Sequence, residues 1–167
     1  MAARRSSLPR ETIAMLAVAI LITVADQVTK AAVIANLGVQ ERASLIGDFI
    51  IVWHLQNRGA SFSLLQGASW IFIVVTIVAV GLIAAYHRSL LGRPLWLHAV
   101  LGVVLGGALG NFVDRVRLGY VTDFVSVGFG DLRFPAFNVA DSSLTVGIVV
   151  LLGWLAFRQR AASRVRG

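Results

Sequence analysis

The chain contains no cysteine. Disulfides, thiolate metal sites and a cysteine nucleophile are therefore excluded, and the redox state of the compartment leaves no mark on it. Lysine is almost absent too: Lys30 is the only one, so arginine carries nearly all the basic charge. Charge of either sign is scarce, at 14% of residues against about 25% in a soluble domain. There is no long-period repeat and no low-complexity linker. His54 has no metal-ligand pattern around it and reads as an interfacial side chain, while His87 and His98 fall towards the opposite membrane face.

What fills the chain instead is hydrocarbon. Of its 167 residues 57% are hydrophobic, and the mean hydropathy is +0.82. That balance defines an integral membrane protein, and the length suits one membrane domain over residues 1–167. The net charge of +7 would suggest nucleic acid in a soluble protein. Here the arginines sit in short flanks beside apolar runs, and no basic face interleaves with aromatics, so a nucleic-acid partner is not expected.

Four apolar runs predict transmembrane helices at about residues 12–30, 69–87, 95–113 and 138–158. The first, preceded by arginine, also resembles a secretory signal peptide, but the later runs favour a membrane helix. Residues 1–10 read as a disordered basic leader. Ala31–Leu37 reads as a short interfacial helix ending at Gly38. Ser44–Leu55 is rich in strand formers around a Gly47-Asp48 turn, and Gly128 and Gly130 mark a second turn between short strands. Together they predict a small β-like platform on the membrane surface. Gly102, Gly106 and Gly110 recur every four residues on one face of the third helix, where glycine lets a neighbouring helix approach closely.

Lys and Arg set the topology. The N-terminus, the second loop and the C-terminus carry nine, and the longer first and third loops (31–68 and 114–137) carry six. Both termini are thus expected in the cytoplasm and the platform outside. The unusual polar segments, Asp26–Lys30, Asn57–Phe62, Gly110–Phe124 and Phe137–Ser142, then all fall on the outer side.

Half of the eight acidic residues lie in Gly106–Asp141: Asp114, Asp123, Asp131 and Asp141. Carboxylates beside membrane-grade sequence are costly and call for a reason. Asp141 opens the fourth helix, three residues after Asn138. Its structural explanation is a helix cap, with the dipole favouring its ionised form. Asp123 follows the third helix between apolar neighbours. A surface role for it would pair it with Arg115 or Arg117. Brought together at a partly dry interface, Asp123 and Asp141 cannot both ionise easily, so one keeps a proton near neutral pH. That pair supplies a base to activate water and an acid to protonate a carbonyl oxygen or leaving amine, with no metal or cofactor.

DQVTK (Asp26–Lys30), NRGASF (Asn57–Phe62), GGALGNFVDR (Gly106–Arg115), GYVTDF (Gly119–Phe124) and FNVADSS (Phe137–Ser143) together resemble the motif set of the lipoprotein signal peptidases. These are the signal peptidase II enzymes, membrane aspartic peptidases of bacteria. The resemblance covers all four helices and both outer loops in order, and leaves out only the basic ends. It implies an inner-membrane enzyme cutting prolipoproteins just before a diacylglyceryl-modified cysteine. Asp123 and Asp141 would be the catalytic dyad. Asn57, Gly110, Asn111, Arg115, Asn138 and Ala140 would shape the pocket and hold substrate. Asp26 and Lys30 would be structural, and Asp114 would organise its loop with Arg115. Expected partners are lipidated precursors and membrane lipids, around a monomeric enzyme. Residues 125–136 are expected to form a surface platform outside the chemistry.

Two other readings compete. Lys30 with Ser61, Ser63 or Ser142 would suit a serine–lysine peptidase, although nothing marks one serine as the nucleophile. A four-helix carrier or scaffold would instead place carboxylates inside helices near the midplane. Asp26 and Asp141 are expected at helix ends and Asp123 outside them, which favours chemistry at the interface.

Overall fold

A computed structural model describes residues 8–59 and 69–164. Its elements, in chain order, are α1 (Arg10–Asn36), β1 (Arg42–Ile46), β2 (Ile50–Asn57), α2 (Ser69–Ser89), α3 (Leu95–Leu118), β3 (Val121–Phe129), β4 (Leu132–Arg133) and α4 (Val139–Arg164). The leader up to residue 7, the second half of the Asn57–Phe62 motif (with Ser61), Ser63 and the last three residues lie outside the described part. All four helices are long and apolar enough to cross a membrane, the shortest having 21 residues. At ~1.5 Å per residue, about 20 residues span a ~30 Å hydrocarbon core.

Hydropathy locates the helices but ends three of them early, α4 among them, which runs past residue 158 to Arg164. The expected interfacial helix at Ala31–Leu37 is not a separate element: α1 runs without a break to Asn36, because Ala-Ala-Val-Ile-Ala holds no residue that stops a helix. Asp26 and Lys30 are consequently buried inside α1 and not at its end. Likewise α3 continues past Val113 through Asp114, Arg115 and Arg117. It stops where Gly119 turns left-handed (φ 78°) and its N–H caps the Arg115 carbonyl at 3.2 Å. The apolar stretch marks the lipid boundary, and the helix outlasts it.

The third helix is the centre of the bundle, with α1, α2 and α4 packed around it. Its small residues explain how. A Cβ added at Gly106 would lie 2.7 Å from the Ala19 carbonyl oxygen of α1, and one at Gly107 would lie 2.6 Å from the Ala140 carbonyl of α4. The glycine face is therefore a packing face, as expected of small residues between membrane helices. Leucine, isoleucine, valine and phenylalanine side chains cover the outside, including Leu82, Val149 and Phe157. An exterior of that kind is stable only against lipid.

The platform is a four-stranded antiparallel sheet in the order β1-β2-β3-β4. Gly47 and Asp48 turn β1 into β2 as expected, and Asp48 ties the second turn down by pairing with Arg133 and accepting the Gly130 N–H. His54 is not interfacial but buried. Its ring Nδ1 lies 2.9 Å from the Leu37 carbonyl, fastening β2 to the end of α1. After β4 the chain returns to the sheet: Phe137 exchanges backbone hydrogen bonds with Val125 at 2.8 and 3.0 Å. That return puts Asn138 and the start of α4 directly beside Asp123.

Candidate active site

The first turn of α4 closes on itself. The Asp141 N–H donates to Asn138 Oδ1 at 2.9 Å, and the Asn138 N–H donates to Asp141 Oδ2 at 3.2 Å. This reciprocal pair is a capping box with Asp in the acidic position. The cap explanation of Asp141 is thus correct as geometry. It also fixes the carboxylate at the positive end of the helix, half-buried, with Oδ1 accepting Asn111 Nδ2 at 2.7 Å.

Asp123 reaches the same place from β3. The β2–β3 register sets it opposite Leu55 and diagonal to Asn57, within reach of a side-chain bond. Asn57 Nδ2 donates to its Oδ2 at 2.9 Å and Asn138 Nδ2 to its Oδ1 at 2.7 Å. No arginine pairs with it among the described residues, so the expected surface pairing with Arg115 or Arg117 is replaced by two neutral amides. At 4% exposure the carboxyl has lost most of its hydration. Burial, reinforced by the Asp141 carboxylate, pushes the Asp123 pKa up from 3.8 to about 7, against the opposing pull of the Asn57 and Asn138 amides and of Lys30. Asn138 joins the two acids: its oxygen holds the Asp141 backbone and its nitrogen holds the Asp123 side chain.

Behind the pair lies a buried charge cluster. Lys30 Nζ is 2.7 Å from Asp26 Oδ2, 3.0 Å from Asp114 Oδ2 and 3.0 Å from Asn111 Oδ1. Asp26 Oδ1 accepts the Ala140 N–H at 2.9 Å, so it satisfies an open donor in the first turn of α4. Asp114 also accepts the Thr122 N–H at 3.0 Å and Gln27 Nε2 at 2.9 Å. The expected partnership of Asp114 with Arg115 is therefore corrected. Asp114 does organise the segment leading into β3, but its ion-pair partner is Lys30. Gln27 carries no signal of its own in the sequence, although it sits inside the DQVTK motif, one residue from Asp26.

Both aspartates line a groove of about 760 Å³. Asn57 and Arg115 line it too, with Phe134, Pro135, Phe137, Leu144 and Val146 as apolar wall. Arg115 lies over the Phe72 ring at 4.7 Å. The remaining residues expected to hold substrate, Gly110, Asn111, Asn138 and Ala140, stand behind the carboxylates and are all buried. A Cβ at Gly110 would come within 2.6 Å of Asp26 Oδ2, which explains why that position is glycine. Residues 125–136 are more than a surface platform, since Phe134, Pro135 and Ala136 form part of the groove wall. Nothing in the composition of that segment set it apart from a solvated loop.

Four membrane-length helices with two carboxylates lining an apolar groove define a class, the multi-pass membrane proteins with an acid-bearing groove. The sequence model of the family described as Signal peptidase (SPase) II matches residues 18–157. The lipoprotein signal peptidase of Enterococcus faecalis is 39% identical over 137 residues, covering 82% of this chain and 84% of that protein. That of Streptococcus agalactiae serotype V is 38% identical over 135 residues, covering 81% and 86%. A solved bacterial membrane enzyme superposes with a TM-score of 0.78 at 29% identity, covering 87% of this chain and 88% of that one. The chain belongs to the signal peptidase II family, a family of multi-pass inner-membrane peptidases.

Proposed function

We propose that this protein removes signal peptides from diacylglyceryl-modified prolipoproteins, cutting before the lipid-modified cysteine, by an aspartic mechanism run by Asp123 and Asp141. The observation that carries the aspartic reading is a pair of carboxylates on one wall of an apolar groove, one of them held up to about 7. Asp141, at the helix N-terminus with both oxygens accepting N–H bonds, is the better anion. It takes a proton from a water whose oxygen attacks the scissile carbonyl carbon. Asp123, neutral below about 7, gives its proton to the departing amine as the C–N bond breaks. The pair shares its protons, so the two roles belong to the dyad as a unit.

The substrate's lipid and signal helix are apolar, and so is the groove wall formed by Phe134, Phe137, Leu144 and Val146. The Lys and Arg counts support termini in the cytoplasm and a groove on the outer side, open to precursors and lipids in the bilayer. One chain supplies both aspartates, so the monomer is taken as the working unit. The serine–lysine alternative loses support: Lys30 contacts Asp26, Asp114 and Asn111, and Ser142 Oγ donates to the Asn138 carbonyl at 3.0 Å. The carrier alternative does too, since Asp26 has both oxygens bonded within the protein.

The test is cleavage of a diacylglyceryl-modified prolipoprotein by the purified full-length protein. Asp123→Asn and Asp141→Asn are each expected to abolish cleavage while the protein stays folded and inserted, and a chelator is expected to change nothing. Full activity in either variant would refute the dyad. Strong inhibition by the chelator would point to a metal, and equal cleavage of unlipidated precursor would refute the substrate assignment.

A further inference from the structure

We propose that Lys30, buried behind the site, is a positioning residue that sets the polarity of the dyad by orienting the side-chain amide of Asn111. The proposal rests on the dyad reading above and adds to it the choice of which acid is the anion.

An ammonium has three N–H groups and no acceptor. Lys30 Nζ has three acceptors around it: Asp26 Oδ2 at 2.7 Å, Asp114 Oδ2 at 3.0 Å and Asn111 Oδ1 at 3.0 Å. At 2% exposure it has no water to turn to. Facing a donor-only group, Asn111 must present its oxygen to Lys30 and its NH2 to Asp141, where Nδ2 reaches Oδ1 at 2.7 Å. Asn138 Nδ2 supports the same orientation with a weaker 3.2 Å bond to Asn111 Oδ1. A flipped Asn111 would set an oxygen against Asp141, tolerable only with a proton between them. Lys30 thus keeps an N–H donor aimed at Asp141 and favours its ionised form, leaving the shared proton to Asp123.

The charged and polar groups around Asp141 fit this assignment. On α1 are Asp26 and Lys30; on α3 Asn111, Asp114 and Arg115; on β3 Asp123; on β2 Asn57. Two carboxylates against one ammonium leave the buried cluster with one net negative charge. Bare electrostatics from the whole cluster would therefore not favour an anion at Asp141. The directed Asn111 bond does.

The test compares Lys30→Met with Lys30→Met/Asp114→Asn, which preserves the cluster's net charge. Both are assayed for kcat and KM between about pH 4 and 9, with folding followed by tryptophan fluorescence. The loss of one bond from a charged group predicts a kcat about 10- to 100-fold lower, with KM within about twofold. The acidic limb of the pH profile should rise by about one unit. Asn111→Leu should remove most of the effect of Lys30→Met, since residues acting through one another are not additive. A folded charge-balanced variant with wild-type kcat and an unmoved acidic limb overturns the proposal.

The unaltered protein offers a second measurement, because its only lysine gives one side-chain nitrogen signal. In 15N-lysine-labelled enzyme that signal should shift along the acidic limb and stop doing so in Asp141→Asn; a flat signal overturns the proposal even if no Lys30 variant folds. Asp123→Asn and Asp141→Asn run alongside. Activity in either means that the dyad itself is wrong. Inactivity in both with indifferent Lys30 variants refutes only the role of Lys30.

Discussion

Asn138→Ser separates the capping role of Asn138 from its role in the dyad. The native amide uses its oxygen for the Asp141 N–H at 2.9 Å and its nitrogen for Asp123 Oδ1 at 2.7 Å. A serine hydroxyl can accept the same backbone N–H, and serine caps about as well as asparagine, so the cap's own share of the stability should change by only a few tenths of a kcal/mol. Serine cannot reach Asp123, which would keep only Asn57 as a donor. A hydrogen bond to a charged group is worth about 1.5–3 kcal/mol, or roughly 10- to 150-fold in rate if the transition state needs it. Asn138→Ala loses both bonds, and should add about 1 kcal/mol of lost stability to the same kinetic defect. The assay pairs thermal unfolding, read by tryptophan fluorescence, with kcat on a lipidated precursor. If the serine variant cleaves at the native rate, or loses as much stability as the alanine variant, Asn138 does not divide its work in this way.

The pH profile of cleavage should fall on the alkaline side near pH 7, where Asp123 gives up its proton; a rate still rising at pH 9 would exclude Asp123 as the acid. The same shift has a stability consequence. The folded pKa of Asp123 is raised above 3.8, so its contribution is fully present below 3.8 and is lost as pH rises through about 7. Asp123→Asn should flatten that decline in unfolding midpoint, and an unchanged slope would contradict the shift. In the helix interface, Gly106→Ala would put a methyl 2.7 Å from the Ala19 carbonyl, whereas Gly153→Ala meets nothing within 4 Å. The first should cost about 1–3 kcal/mol in thermal unfolding and the second should be neutral or better, so equal midpoints would refute the close-packed face.

The sequence was most informative where chemistry forced unusual residues into an apolar background. Asp123 and Asp141 stood out because carboxylates beside lipid need a reason, and the strand–turn signals around Gly47-Asp48 matched the observed hairpin. What stayed hidden was set by contacts distant along the chain. Asp114 has an arginine next to it in sequence, yet α3 turns its carboxylate towards Lys30 of α1. No local pattern shows that, because neighbouring residues on a helix do not face each other. Gln27 is inconspicuous in the sequence for the same reason: its value lies in the α3 groups it meets, Asp114 and the Gly110 carbonyl. Phe134 reads as a loop aromatic until the Phe137–Val125 bridge folds its segment over the groove.

Capping does not exclude catalysis by Asp141, since the same helix dipole favours its ionised form. In the proposed mechanism the first is a condition of the second. A carboxylate that only caps needs one bond to the chain before it, and Asp141 has that bond to the Asn138 N–H. Its second oxygen is held by Asn111, whose own oxygen faces Lys30 and Asn138. None of those contacts is needed to start a helix. Each of them restricts where a carboxylate beside Asp123 can point, and whether it can remain charged there. Two acids held by three asparagine amides, in front of a buried ion cluster, are fixed in position with no direct cation on either among the described residues. That is the condition under which one proton can be shared between them near neutral pH.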